Sequence, residues 1–476
     1  MPRSGDPAQG GRGAPARLSP AEIVRSGLCI GCGSCVANLP ATAEAGVARM
    51  AFDGHGLLAP AAPDAWLRRR SAEFAETCPF SPAAADENQL AASLFPAAAM
   101  RHGATGRFIS AHVGHVREPS FRADGSSGGL VTWVLAELFR HGLIDGAAHV
   151  APVAQRAPGE PFFRYRVARC VEDVRAGAKS RYYPIEMSAV IDEIRATPGA
   201  YAVVGVPCFI KAVQLLRRRD PVLRERIAFT LGLFCGHMKS ARFVESLAWQ
   251  MGVGIDDVEA VEFRRKDSSR PASTYTAELR LRDGSARVRD WWNMVDGDWG
   301  AGFFQCSACN YCDDVVGETA DISFGDAWVE PYASDGRGTN VVVTRSEIVD
   351  RLISAGIADG RLELERVDGD FVERTQAAGL RQRREGLGYR LTWHRSGLTP
   401  RKRVAPRSDQ PLRRKLIYRS RAAISAGSHR LFRIARRTGR PAVYLRPAGA
   451  AQAGYHALTY SRGALGTLVD RVLPRP

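Results

Sequence analysis

The stretch Cys29-Ile-Gly-Cys-Gly-Ser-Cys35 constrains this chain more than any other. Three cysteines at two-residue intervals put three thiolates on one tight turn. Gly31 and Gly33 lie between them and relax the backbone, so that sulfurs and amides can both face inward. A 4Fe–4S cluster needs three such thiolates from one loop and a fourth from elsewhere, commonly from a Cys-Pro pair. Cys78-Pro79 supplies that pair, so Cys29, Cys32, Cys35 and Cys78 are the expected ligands of a first cluster. A zinc knuckle is the competing reading. Zinc usually takes two close pairs of ligands rather than an evenly spaced triplet, which favours iron–sulfur.

Ten cysteines among 476 residues are too few for a secreted disulfide scaffold, and they cluster. A second triplet stands at Cys306, Cys309 and Cys312. Clustered cysteines argue for metal in a reducing compartment. Residues 1–20 are rich in Gly, Pro, Ala and Arg, with no apolar stretch that would read as a secretory signal. No apolar run approaches the roughly 18 residues that a membrane span needs. A cytoplasmic protein is expected, with any membrane contact peripheral and at the inner face.

The net charge of +16 is concentrated at one end. Residues 401–476 hold 18 Lys and Arg against two acids, Asp409 and Asp470, and residues 1–400 balance. The charge therefore describes a tail and says nothing about the body. Arg401-Lys402-Arg403, Arg413-Arg414-Lys415 and the run 433–440 alternate with Leu416, Ile417, Tyr418, Ile424, Leu431, Phe432 and Ile434. Short apolar clusters among arginines suit an amphipathic helix on an anionic membrane surface. A solvated tail is the plainer reading. A zinc-stabilised nucleic-acid-binding protein is the rival of another class, and the neutral 400-residue body argues against a nucleic-acid partner.

Residues 1–20 read as disordered and 21–100 as an iron–sulfur module with an alanine-rich connector. From about 107 the pattern changes. Strands are expected at 108–113, 144–153, 201–206, 227–234 and 258–263, with a hairpin at 275–281 and 286–292 and later strands at 340–344 and 362–367. Helices are expected from Leu130 to Gly142, and at 187–194, 209–217, 243–251 and 347–355. Strand and helix alternate over more than 150 residues, which defines an α/β body with a mixed, largely parallel sheet at 101–370. Residues 371–400 read as a connector and 401–476 as a basic tail.

Two lone cysteines, Cys208 and Cys235, end apolar strands. Parallel sheets place ligands at that edge. With Cys306, Cys309 and Cys312 they are candidates for a second cluster, and which four of the five ligate is left open. Cys170 has no partner pattern and reads as structural. Ser126-Ser127-Gly128-Gly129 opens the first body helix, whose free amides favour a phosphate. Ser and Gly there also serve as ordinary caps. Lys179-Ser180-Arg181-Tyr182 brings cations and aromatics before another helix. The functional reading is a flavin site with Lys179 beside the ring's electron-accepting edge; the plain reading is a solvated loop.

The motifs stand in a collinear order: Cys29-x2-Cys32-x2-Cys35, Cys78-Pro79, Ser127-Gly128-Gly129-Leu130-Val131-Thr132, Ile144-Asp145-Gly146, Gly205-Val206-Pro207-Cys208, Gly232-Leu233-Phe234-Cys235, Cys309-Asn310-Tyr311-Cys312-Asp313-Asp314 and Ala320-Asp321-Ile322-Ser323. Over residues 25–345 this order resembles the coenzyme F420 hydrogenase/dehydrogenase beta subunit family. It is also similar to the chlorophyll-cycle reductase branch of that family, the 7-hydroxymethyl chlorophyll a reductases. The resemblance implies an N-terminal ferredoxin-like module, FAD and two 4Fe–4S clusters. By position, the Gly128-Gly129 turn matches the family's FAD contact, and Ser126, Ser127, Thr132, Lys179, Ser180 and Tyr182 are the further residues expected at that flavin site. The resemblance further implies body-cluster ligands at Cys208, Cys235, Cys309 and Cys312, with Cys306 extra to the pattern. The activity implied is electron transfer between a one-electron carrier such as ferredoxin and a hydride donor or acceptor. The substrate class extends from coenzyme F420 to a sugar-linked molecule of surface-polysaccharide synthesis. A non-catalytic electron-transfer subunit is the alternative.

Overall fold

The computed structural model describes residues 16–37 and 47–473. The body is built on one eight-stranded sheet: β1 (Ser110–Val116), β2 (Gly146–Pro152), β3 (Phe163–Ala168), β4 (Tyr201–Gly205), β5 (Ile227–Leu233), β6 (Ile322–Asp326), β7 (Asn340–Thr344) and β8 (Leu362–Val367). The order across the sheet is β8-β1-β7-β6-β5-β4-β2-β3. The contiguous strands β6, β5, β4 and β2 are parallel, and the remaining pairings are antiparallel. The mixed α/β class is as expected, and the largely parallel part is its centre. There β4 is buried along its whole length, as its apolar Tyr-Ala-Val-Val-Gly run requires.

Most expected body elements appear within a few residues of their bounds. Helix α1 (Leu130–Arg140) lies against the sheet with Trp133, Val134 and Leu138 fully buried. Helices α2 (Ser188–Ala196) and α3 (Pro207–Arg219) follow as the spacing predicts, and Pro207 occupies the first turn of α3, where a missing N–H costs nothing. The hairpin turn at Arg282–Ser285 joins two strands of a separate three-stranded sheet.

The ends of the chain differ from expectation. The disorder expected at 1–15 lies outside the described residues. Residues 16–20 are ordered: Leu18 bridges to Ser71, and Ser19 closes a capping box with Glu22. The N-terminal module shares one apolar core with the body, in which Leu28, Ile30 and Phe80 pack with Tyr165, Val190, Phe209 and Ala308. Residues 371–400 include α4 (Ala377–Arg383), whose last residue is buried, so they are more than a connector.

The basic tail is a folded part of the body. Its helices are α5 (Leu412–Thr438), α6 (Ala442–Tyr460) and α7 (Gly463–Val472). Ile417, Ile424, Phe432, Tyr444 and Tyr455 complete a core with Phe243, Phe263, Trp291 and Phe304. The apolar face of α5 expected on a membrane is therefore spent on the protein itself. Its arginines reach inward too. Arg421 donates to the Gly300 carbonyl and, at 3.0 Å, to Gln305 Oε1. Among the described residues no helix is long and apolar enough to cross a membrane.

Candidate functional site

The Cys29–Cys35 turn is held open by its glycines. Gly31 has φ +74° and Gly33 φ +83°. A Cβ at Gly31 would come within 2.7 Å of the Leu58 carbonyl oxygen, and one at Gly33 within 2.4 Å of Glu186 Oε2. Only glycine satisfies both the backbone angle and the space. Cys78 caps the short helix Ala72–Thr77 and returns to the same turn. A cavity of about 370 Å³ lies among Cys29, Cys32, Cys35 and Cys78, walled by apolar side chains such as Ile23 and Phe74. Burial pushes the Cys29 thiol up to about 12 and raises Cys35 and Cys78 as well, with the neighbouring sulfurs adding to the effect. Four thiols around an apolar cavity fit a group that supplies its own positive charge, as a 4Fe–4S cluster does.

The second set forms where β4 and β5 end side by side. Cys208 lies in the first turn of α3 after β4, and Cys235 two residues beyond β5. The short helical turn Ser307–Tyr311 brings Cys309 and Cys312 to them. Burial raises Cys208 well above the ordinary thiol range, and Cys312, Cys235 and Cys309 raise it further. Cys235 is raised the same way. The amide of Met238 donates to Cys309 Sγ at 3.3 Å. Cys306 touches both sets: its thiol is hydrogen-bonded to Cys309, and its Sγ also lies 3.5 Å from the Cys29 carbonyl, so it stands between them.

A buried arginine that sequence reasoning missed identifies what the second set needs. Arg383, at the end of α4, is 2% exposed. Its guanidinium donates to the carbonyls of Cys309 and Gly236. Among the described residues it has no carboxylate within ion-pair distance. Burial opposes its charge, and Cys312, Cys309, Cys235 and Cys208 outweigh that only when their sulfurs are ionised. A buried cation requires a counter-charge. Four thiolates on a cluster provide it, and four neutral thiols do not. The spacing pattern of α4 carries no mark of this role.

The sequence expectation at Ser126–Gly129 has a mixed outcome. Gly129 has φ +87°, and its Cβ would meet the Phe121 carbonyl at 2.5 Å; a Cβ at Gly128 would meet Asn340 Oδ1 at 2.8 Å. Both glycines are thus required by the protein's own packing. Asn340 Oδ1 also accepts from the Leu130 amide at 3.2 Å, which caps part of the helix start. Ser127 donates to the Thr339 carbonyl, Thr132 is buried on α1, and Tyr182 packs on Trp299 in the aromatic core at 4.8 Å. Ser126 faces the loop 179–182, where its Oγ accepts from the Ser180 amide at 2.8 Å. Lys179 is ion-paired with Glu262 at 2.7 Å.

Beside this turn is a cleft of about 310 Å³ bounded by Ser126, Arg264, Lys266, Thr274, Tyr275 and Gly336. Arg122 is paired with Asp335 and Arg264 with Asp326, both at 2.9 Å. Lys266 has no such partner among the described residues and donates instead to carbonyls, those of Ser127 at 3.0 Å and Arg337 at 2.7 Å and that of Arg122. Burial, then Lys179, Arg122 and Arg264, bring its ammonium down to about 7. One cation in excess beside Ser126 fits a phosphate-bearing group such as FAD. Lys266 was missed because the run Arg264-Arg265-Lys266-Asp267 reads as a solvated loop.

Known proteins share this sequence pattern. Two family models of the coenzyme F420 hydrogenase/dehydrogenase beta subunit match the chain, the one for its N-terminal part over residues 111–192 and the one for its C-terminal part over residues 199–370. An uncharacterized protein of Methanocaldococcus jannaschii is 27% identical over 266 residues, 53% of this chain and 65% of its own length. The coenzyme F420-dependent sulfite reductase of the same organism is 24% identical over 318 residues, 64% of this chain and 43% of its own length. The chain thus spans less than two thirds of the length of either relative. A chain of the F420-reducing nickel–iron hydrogenase complex from Methanosarcina barkeri aligns with a TM-score of 0.45 and 19% identity, over 60% of this chain and 92% of that one.

Proposed function

This chain belongs to the coenzyme F420 hydrogenase/dehydrogenase beta subunit family, and from that premise we propose that it is an iron–sulfur flavoprotein oxidoreductase. It passes electrons between a one-electron carrier of the ferredoxin class and a hydride donor or acceptor. The observation that carries this reading is the gathering of eight cysteines into two quartets within one shared core. Cys29, Cys32, Cys35 and Cys78 hold one 4Fe–4S cluster, and Cys208, Cys235, Cys309 and Cys312 hold the other. Cys306 lies between them and is left out of both ligand sets.

FAD, when bound, supplies two-electron hydride chemistry and one-electron exchange with the clusters. The protein's part is positioning. Lys266 would supply positive charge and Ser126 a hydroxyl to the diphosphate, and Lys179 sets the charge at the edge of the cleft through its pair with Glu262. The aromatic wall of Tyr275 excludes water from that end. The substrate is a small molecule such as coenzyme F420 or a sugar-linked compound. The alternative, an electron-transfer subunit of a larger assembly, draws support from the sulfite reductase, of which the matched part is 43%.

The test is anaerobic purification with iron, sulfide and flavin assays. About eight irons per chain are expected from two four-iron clusters. Cys78→Ser should remove about half of that iron. Zinc without acid-labile sulfide would overturn the reading.

A further inference from the structure

The two cysteine quartets are electrostatically unlike. We propose that Arg383 sets the reduction potential of the group held by Cys208, Cys235, Cys309 and Cys312 above that of the group held by Cys29, Cys32, Cys35 and Cys78, so that electrons enter at the N-terminal quartet and run inward. This rests on the cluster assignment made above.

The geometry carries the argument. Arg383 is buried, and its guanidinium binds the backbone of the body quartet at Cys309 and Gly236. Those partners are neutral carbonyls, so its charge is not cancelled by a carboxylate. A fixed positive charge in a dry site stabilises the more negative, reduced form of whatever the sulfurs hold. The acids near this quartet are already answered. Asp313 is paired with Lys402 at 3.1 Å and Arg403 at 3.3 Å. Asp314 accepts from the amides of Val316, Gly317 and Glu318 at 2.8–3.0 Å.

The N-terminal quartet has the opposite surroundings. The carboxylate of Glu186 stands directly over Gly33 of the turn, where a Cβ would meet its Oε2 at 2.4 Å, and Asp53 is a second acid beside Cys29. Negative neighbours disfavour the reduced form. The two quartets are adjacent, since Cys306 of the second triplet donates to the Cys29 carbonyl at 3.5 Å. An electron supplied by a ferredoxin-class carrier leaves the N-terminal group oxidised and the body group reduced. No proton or further reactant is needed for that transfer.

The experiment is a potentiometric titration of the anaerobically loaded full chain, followed by electron paramagnetic resonance. Cys78→Ser assigns the N-terminal signal by its loss. In the wild-type protein the body signal should reduce at the higher potential. Arg383→Met should lower the reduced-to-oxidised ratio of that signal at least tenfold at fixed potential, about 59 mV for one electron. The other signal should not move, and Arg383→Lys should restore part of the shift. Two signals in the reverse order in the wild-type protein would overturn the proposal, whatever the variants do. An unmoved body signal in Arg383→Met would overturn it as well. Protein without iron or sulfide would instead refute the cluster assignment on which the proposal rests.

Discussion

Lys266 and Gly129 show how differently two residues beside one cleft contribute. Lys266 spends its three donors on the carbonyls of Arg122, Ser127 and Arg337, so an anion in the cleft would gain attraction to its charge rather than a hydrogen bond from it. Lys266→Met should therefore weaken FAD binding severalfold. The pH dependence has a definite sign. The free ammonium is protonated below about 7 and loses its charge as pH rises through that value. Flavin affinity of the wild-type protein should therefore fall above about pH 7, and the variant should lack that slope; fluorescence titration of FAD measures both. Gly129→Val, by contrast, should act on the fold first. A side chain at φ +87° with a Cβ at 2.5 Å from the Phe121 carbonyl costs about 1–3 kcal/mol of strain or more. Thermal denaturation should show that loss whether or not flavin is present. Ser126→Ala is the gentler probe of the cleft, because it removes one hydroxyl, the acceptor for the Ser180 amide and the group offered to the diphosphate, without straining the backbone.

At the scale of the element, the informative case is helix α5. Its composition is that of a charged surface helix, yet Phe432 is fully buried between Trp249 at 4.4 Å and Tyr444 at 5.1 Å. Phe432→Ala should cost about 3–5 kcal/mol in a denaturant titration, the usual cost of emptying a buried aromatic site. Ending the chain at Pro400 removes the whole α5–α6 contribution to that core. It also removes Lys402 and Arg403 from Asp313, next to Cys312. The truncated protein should aggregate, or purify with the body quartet's iron depleted; full iron and an unchanged melting temperature would show that these helices are dispensable. The last helix, α7, keeps Leu465, Leu468 and Val472 exposed, while α5 leaves Leu412 and Ile434 exposed.

Across the whole molecule, distant segments are tied by buried charge. Glu87, on the helix Glu87–Leu94, meets Lys211 of α3 at 3.0 Å and Arg403 at 3.5 Å, with all three side chains nearly fully buried. Burial alone would raise the Glu87 carboxyl, but Lys211, Lys402 and Arg403 together hold it below its usual range. Removing one member of a buried pair leaves the other unpaired, so Glu87→Gln should cost about 3–5 kcal/mol at neutral pH. A carboxyl depressed in the folded state stabilises fully above its unfolded pKa, about 4.3, and loses that contribution as pH falls through the lower native value. The stability gap between wild type and Glu87→Gln should thus be constant above about pH 5 and close in acid. A gap independent of pH would assign the loss to packing.

Local spacing was enough to determine the two cysteine triplets, the glycines that bend the first, the Cys78-Pro79 partner and nearly every body strand and helix. Those features depend on residues a few positions apart: a turn that needs φ above zero, a period of two or of 3.6, a proline at a helix start. Tertiary structure alone decided how Cys208, Cys235, Cys309 and Cys312 gather while Cys306 stays between the quartets, because that depends on where β4 and β5 end relative to a turn some 70 residues later. It alone decided that Arg383 and Arg421 are buried and Lys266 half-buried. An arginine or lysine in a sequence looks solvated by default, since its charge favours water. Only the packed chain supplies the carbonyls, sulfurs and aromatic walls that replace that water, and in this protein they turn a basic tail into part of the core.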